Sequence, residues 1–269
     1  MESLLGVIDA AEYTRSPVII GFNGEFLSSP GRLTHEKLEW YGALGKAAAE
    51  ASSVPCGFIF NECPDESQVR KAVLSGFNLV MLSGGERSSG QYLENVASLT
   101  SFAHRNNVAV EAELGELPSG LDDPVEPHRS STTDPELAAF FVSKTQVDIL
   151  SVSVGNIHIL MNGQRDLDLE CLEEIHKRVD IPLGLHGGTG ISNESIRQAI
   201  HLGVAKINYG TYLKLRYLDA QRKAFNTVEE NPHKLLGMGG KEDVLVTGRL
   251  AIRDAVLERI ELLGCCGRA

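Results

Sequence analysis

The feature that most constrains this chain is an alternation, sustained along most of its length, of short apolar runs with longer segments of helical period. The apolar runs fall at 17–22, 56–61, 79–82, 108–114, 149–154, 183–186 and 206–209. Their residues do not alternate strictly between apolar and polar, which is the pattern of parallel strands covered on both faces. Helical segments at 34–52, 67–75, 89–106, 135–145, 169–179 and 193–202 separate them. Thr133-Asp134-Pro135-Glu136 is a strong helix start, because a capping side chain precedes a proline in the first turn. Strands alternating with helices dictate a parallel α/β sheet. At 269 residues the length suits one large barrel or two small domains. No repeat, linker or low-complexity segment divides the chain, so a single domain over 1–269 is expected.

Counting strands narrows the class. A closed (β/α)₈ barrel needs eight; seven are legible, and the chain opens on a helix from Glu2 to about Arg15. The missing strand would be the first, upstream of Met1, unless the barrel is open there. The expected fold is therefore an α/β TIM barrel lacking its first strand. A doubly wound sheet is the alternative, but no GxGxxG follows an early strand. A glycine-rich loop at 237–241 precedes a last helix over about 244–263.

Composition removes several function classes. Twenty-five basic against thirty-six acidic residues leave a net charge of −11. With no basic stripe to neutralise phosphates, nucleic acid is not an expected partner. No apolar run approaches the ~20 residues of a membrane-spanning helix. The five cysteines, Cys56, Cys63, Cys171, Cys265 and Cys266, form no CxxC pair, and no signal peptide is legible. Both observations point to reduced thiols in the cytoplasm.

Unusual residues collect at strand ends. Leu185-His186-Gly187-Gly188-Thr189-Gly190 joins a strand to a helix, where glycines let backbone N–H groups approach an anion and the threonine adds a donor. A bare Gly-Gly-x-Gly reads first as an ordinary tight turn; His186 beside it shifts the reading toward a ligand site. One unit later, Lys206-Ile207-Asn208-Tyr209-Gly210-Thr211 repeats the layout, and the last two strand-end loops of barrels are frequent phosphate sites. His158 follows the strand at 149–154. Glu111 and Glu113 share one face of the strand at 108–114, where a carboxylate is costly unless paired or metal-bound. Glu62 ends the strand at 56–61. Alone, each histidine reads as an ordinary hydrogen-bonded residue. Two imidazoles and one or two carboxylates at the same end of a barrel fit Zn²⁺ or a related divalent ion.

These motifs together resemble the class II, metal-dependent ketose-bisphosphate aldolases of the fructose- or tagatose-bisphosphate type, over nearly the full length. The resemblance rests on Leu185-His186-Gly187-Gly188-Thr189-Gly190-Ile191, Leu202-Gly203-Val204-Ala205-Lys206-Ile207-Asn208, Val110-Glu111-Ala112-Glu113-Leu114-Gly115 and Thr133-Asp134-Pro135-Glu136. It implies a Zn²⁺ ion, or Mn²⁺ or Co²⁺, that polarises a ketose carbonyl and stabilises the enediolate of dihydroxyacetone phosphate. It implies His158 and His186 as metal ligands, with Glu113 as a carboxylate able to reach the metal. Gly187, Gly188, Thr189, Asn208 and Thr211 become the cradle of the ketose phosphate, with a monovalent cation near it. Asp122 takes the place of the mobile-loop glutamate that handles the proton at carbon. Relatives are usually dimers or tetramers, so a homodimer or homotetramer is implied.

The sequence also departs from that family. The family's early-strand His-x-Asp-His aligns with Ile59-Phe60-Asn61-Glu62. Asn61 replaces the aspartate that protonates the aldehyde oxygen, and an amide cannot exchange that proton. Glu62 replaces a metal-binding histidine; it can still ligate, giving a His₂Glu set with an open position. An extra negative ligand lowers the metal's Lewis acidity. Glu62 could instead act as a general base with no metal present. Ile159 follows His158 where the family has glycine, His233 stands where bisphosphate aldolases carry an arginine for the second phosphate, and Gly210 replaces a polar residue. The expected function is an aldolase-type lyase acting on a small phosphorylated sugar, with an altered acceptor half-site. A sugar-phosphate isomerase or epimerase, and a non-catalytic phosphosugar-binding relative, are the alternatives.

Overall fold

The computed structural model of the protein describes residues 1–84, 88–115, 117, 132–160, 163–226 and 229–269. Its elements begin with α1 (Glu2–Thr14), β1 (Val18–Asn23), α2 (Gly24–Ser28), α3 (Leu38–Ala51), β2 (Cys56–Cys63) and α4 (Glu66–Val73). Then come β3 (Leu79–Leu82), α5 (Ser89–His104), β4 (Ala109–Leu114), α6 (Pro135–Thr145), β5 (Ile149–Val152) and α7 (Leu169–His176). The chain continues through β6 (Leu183–Leu185), a 3₁₀ turn (Gly188–Gly190), α8 (Asn193–His201) and β7 (Val204–Ile207). It closes with α9 (Thr211–Ala224), α10 (Pro232–Leu235) and α11 (Val244–Leu263).

The seven strands form one sheet in chain order, β1 to β7, and the pairs from β2–β3 to β6–β7 are parallel. A doubly wound sheet reverses its order partway. An unbroken sequential order is that of a TIM-type (β/α) barrel, as the alternation predicts, with seven strands among the described residues. The β2 strand shows how its two faces divide. Phe58 and Phe60 are buried on one side with Phe77, whose ring stacks on Phe58 at 4.1 Å and meets Phe60 edge-on at 5.3 Å. Ile59 points the other way, into a cluster with Leu79 and Met81 on which Ala109 and Ile149 pack. The α3 helix approaches the aromatic side closely at Gly45, where a Cβ atom would overlap the Phe58 ring.

The described chain separates into two compact units. One comprises residues 1–20, 48–56 and 209–269; the other comprises 21–47 and 57–208. In the first, Ala10 of α1 packs with Ile252, Val256 and Ile260 of α11, flanked by Leu213 and Tyr217 of α9. Arg249 holds Asp9 through two bonds of 2.5 and 2.6 Å. The second contains the strands from β2 to β7. Among the described residues, no helix is long and apolar enough to cross a membrane.

Several elements differ from expectation. The last strand is Val204–Ile207 rather than 206–209, so Lys206 lies inside the strand and Asn208 just beyond it. The third helix starts at Leu38 rather than at 34. The α9 helix lies outside the helical segments that periodicity predicts; none of its residues is fully buried, and its Leu213 and Tyr217 are partly buried against the α1–α11 cluster.

Candidate metal and phosphate site

Because the strands are parallel, their C-terminal ends fall on one side of the sheet, and each expected ligand sits at such an end. Glu62 lies near the end of β2, where the register to β3 breaks between Phe60 and Cys63. There the backbone turns to φ +50° at Glu62, a left-handed conformation that non-glycine residues rarely adopt. His158 lies in the loop after β5. Asn156 ties that loop down, accepting from the Val154 amide at 2.9 Å and donating to the His186 carbonyl at 3.0 Å. His186 follows β6 directly and is 1% exposed.

The three side chains converge. One ligand atom from each of Glu62, His158 and His186 lies within 4.8 Å of the others, and the two imidazole rings are 5.8 Å apart. His186 Nδ1 is 3.0 Å from Glu62 Oε1 and 3.2 Å from Glu113 Oε1. Neither approach has hydrogen-bond geometry. Among the described residues, His186 Nδ1 and Glu113 Oε1 are buried without a hydrogen-bond partner. Orphaned donors and acceptors of this kind are rare in a native interior and call for an explanation. Two imidazoles and a carboxylate facing a common point, with a second carboxylate against His186 and ligand atoms left unbonded, fit a divalent cation.

Supporting groups aim these ligands. Asn23, at the end of β1, donates from Nδ2 to Glu62 Oε2 at 2.6 Å. His186 Nε2 meets Glu111 Oε1 at 2.9 Å. Burial alone would raise the Glu62 carboxyl, but the close approach and charge of His186, with help from His158 and Asn61, bring it down to about 2. Burial would also lower His186, yet the Glu113 charge, the Glu111 hydrogen bond and the close approach of the Glu113 and Glu62 carboxylates hold it well above the usual imidazole range. Both shifts favour the charged forms of Glu62 and His186 when no metal is bound. That electrostatic field would also hold a cation.

The expected phosphate cradle is partly assembled beside it. Gly187 takes φ +69°, and a Cβ there would collide with the Ile157 carbonyl, so only glycine fits. The Gly188 amide is already engaged, donating to the Asn208 carbonyl at 3.0 Å. Gly188 therefore links the β6 and β7 ends and has no amide hydrogen left for a phosphate. Thr189 is half-buried in the 3₁₀ turn. Thr211 is the first residue of α9 and belongs to the other compact unit, as does the exposed His233 in α10. Asn61 is half-buried in β2, its Oδ1 without a hydrogen-bond partner among the described residues. Asp122 lies outside the described residues.

Residues 1–268 match the family profile described as fructose-bisphosphate aldolase class-II. The chain belongs to the class II fructose-bisphosphate aldolase family. The match spans both compact units. Among solved structures, the chain is similar to the YdjI aldolase from Escherichia coli K12, with 29% identity and a TM-score of 0.80 over 100% of this chain and 90% of that one. A putative fructose-1,6-bisphosphate aldolase from Coccidioides immitis shares 24% identity and a TM-score of 0.80, over 100% of this chain and 89% of its own. Fructose-bisphosphate aldolase from Campylobacter jejuni shares 22% identity and a TM-score of 0.76 over the same shares. At these last two identities the likeness speaks for the fold alone.

The sequence does not single out Asn23 or give roles to Lys206 and Ser151, and Glu111, a candidate ligand there, is instead paired with His186 and Lys206. A signal existed for two of them. Lys206 and Glu111 are charges inside otherwise apolar strands, tolerated only when paired. Asn23 had none, because its partner lies 39 positions away.

Proposed function

We propose that the protein is a metal-dependent, aldolase-type carbon–carbon lyase acting on a ketose phosphate, with an altered acceptor half-site. The observation that carries this reading is the convergence of Glu62, His158 and His186 to within 4.8 Å beside the Gly187–Gly190 turn. These three would hold the ion, with Glu113 as a second carboxylate near His186. When bound there, Zn²⁺, Mn²⁺ or Co²⁺ would supply Lewis-acid polarisation of the ketose carbonyl.

The chain's own residues set the rest. Gly187, Thr189 and Asn208 are proposed to bind the ketose phosphate, and Thr211 enters on the strength of the family resemblance alone. Asn61 can hydrogen-bond an aldehyde oxygen but cannot protonate it, so cleavage of ordinary bisphosphates should be slow. Asp122 enters as the group moving the proton at carbon on the strength of the family resemblance alone. Enolisation without cleavage, as in an isomerase or epimerase, is the second reading, and Asn61 favours it because that chemistry needs no aldehyde proton donor.

The test is metal content and turnover together. Purified protein should bind about one Zn²⁺ per site and release an aldehyde from a ketose 1-phosphate. Interconversion of two sugar phosphates without aldehyde release would select the second reading. No stoichiometric metal, and no turnover with Zn²⁺, Mn²⁺ or Co²⁺, would leave a phosphosugar-binding protein. We further expect the double variant Asn61→Asp, Glu62→His to raise fructose-bisphosphate cleavage from near zero. If it does not, the divergence lies deeper than the metal site.

A further inference from the structure

A single buried ion pair touches both the proposed metal ligands and the proposed phosphate ligands. Glu111 of β4 is 0% exposed and Lys206 of β7 is 8% exposed. Lys206 Nζ donates to Glu111 Oε1 at 3.0 Å and lies 2.8 Å from Oε2. Glu111 Oε1 also accepts from Ser151 Oγ at 2.7 Å and faces His186 Nε2 at 2.9 Å. On the other side, Lys206 Nζ donates to Asn208 Oδ1 at 2.6 Å. An apolar pair of similar volume would often serve stability as well or better, so a buried ion pair is weak evidence for a stabilising role.

The direction of each hydrogen bond supplies another role. An ionised carboxylate only accepts, so His186 must present N–H at Nε2, which leaves Nδ1 facing Glu62 and Glu113. An ammonium only donates, so Asn208 must turn its oxygen to Lys206. Its NH₂ group is thereby aimed away from Lys206, as a donor. Without Lys206, nothing in this network distinguishes the two ends of that amide.

We propose that Glu111 and Lys206 are positioning residues that couple the two half-sites: Glu111 sets the His186 imidazole for a metal, and through Lys206 sets the Asn208 amide as a donor to the ketose phosphate. This rests on the functional reading above. It adds that the two halves are aligned by one shared carboxylate rather than built independently.

The experiment measures binding, not turnover alone, using Zn²⁺ and, on the Zn²⁺-loaded protein, dihydroxyacetone phosphate. Lys206→Met should keep Zn²⁺ affinity within about threefold while weakening dihydroxyacetone phosphate about tenfold or more, in line with lost orientation of a ligand group. Lys206→Arg should recover part of that loss. Adding Asn208→Ala to Lys206→Met should cost little more, because both changes act through one amide. Glu111→Leu combined with Lys206→Met replaces the pair by apolar groups, and should weaken Zn²⁺ about 10- to 100-fold as well. Variants that bind both probes like the parent would overturn the coupling while leaving the functional reading intact. Fully additive losses from Lys206→Met and Asn208→Ala would overturn it too, even if the apolar pair variant failed to fold. A parent protein that binds neither probe overturns the functional reading and the coupling together.

Discussion

Glu62 is held in a conformation that costs energy. A non-glycine residue at φ +50° costs roughly 1–3 kcal/mol, and such strain persists only where surrounding contacts impose it. Here the contacts are the Asn23 amide and the His186 imidazole. Substituting Glu62→Gly should therefore separate stability from function. Glycine adopts positive φ freely, so the metal-free variant should melt no lower than within a few degrees of the parent. Its Zn²⁺ affinity, measured by titration, should fall about tenfold or more, because one of three converging ligands is gone. A large drop in Tm with unchanged Zn²⁺ binding would show that Glu62 is a structural residue. Asn23→Ala makes the complementary test. It keeps the carboxylate but frees its orientation, and should weaken Zn²⁺ by about tenfold.

At the level of elements, local rules account for most starts and stops. The side chains of Ser88, Asp134, Asp168, Ser192 and Asp243 each accept an amide hydrogen at the first turn of α5, α6, α7, α8 and α11. The Asp134 cap, read from Asp-Pro-Glu, holds the Leu137 amide at 2.8 Å. Asp134→Ala should lower unfolding free energy by about 1 kcal/mol without changing metal binding. In α11, Ile252 is 2% exposed. Ile252→Ala should cost roughly 2–5 kcal/mol by chemical denaturation, since it opens a cavity against Ala10 and its neighbours. Where elements were misread, the cause lay outside the local pattern. In β7 the pairing partners on β6 set the ends: Leu183 aligns with Val204 and Leu185 with Ile207. In α9 the stripe through Leu213 and Tyr217 is only partly buried, so its signal is weak.

For the molecule as a whole, the site's charges make stability depend on pH in two opposite ways. His186 has a folded pKa raised above the usual 6.5. Its contribution is complete below that value and is lost as pH rises through the folded one. Glu62 has a folded value depressed to about 2 from 4.5, so its contribution is present above 4.5 and disappears as pH falls toward 2. Metal-free protein should therefore lose stability both below about pH 5 and on the alkaline side. A bound divalent ion replaces the proton on His186, so Zn²⁺ should raise Tm more at pH 8 than at pH 6. Equal shifts at the two pH values would argue that His186 does not bind the metal.

The linear order of residues by itself determined the parallel α/β class, the count of seven strands, and the strand-end placement of Glu62, Glu113, His158, His186 and Asn208. These follow from periodicity and turn chemistry, which act over a few residues. It also carried the family, since several separated motifs matched together. Tertiary structure alone decided which of those ligands meet, because parallel strands distant in sequence bring Glu62 and His186 to 3.0 Å. It decided that the Gly188 amide is used within the protein rather than offered to a ligand. It also placed Asn23 on Glu62, and Lys206 between Glu111 and Asn208. These are hydrogen bonds across 39 and 95 positions as well as across two. No local propensity encodes a partner at the longer separations, and only packing of the whole sheet brings such groups into reach.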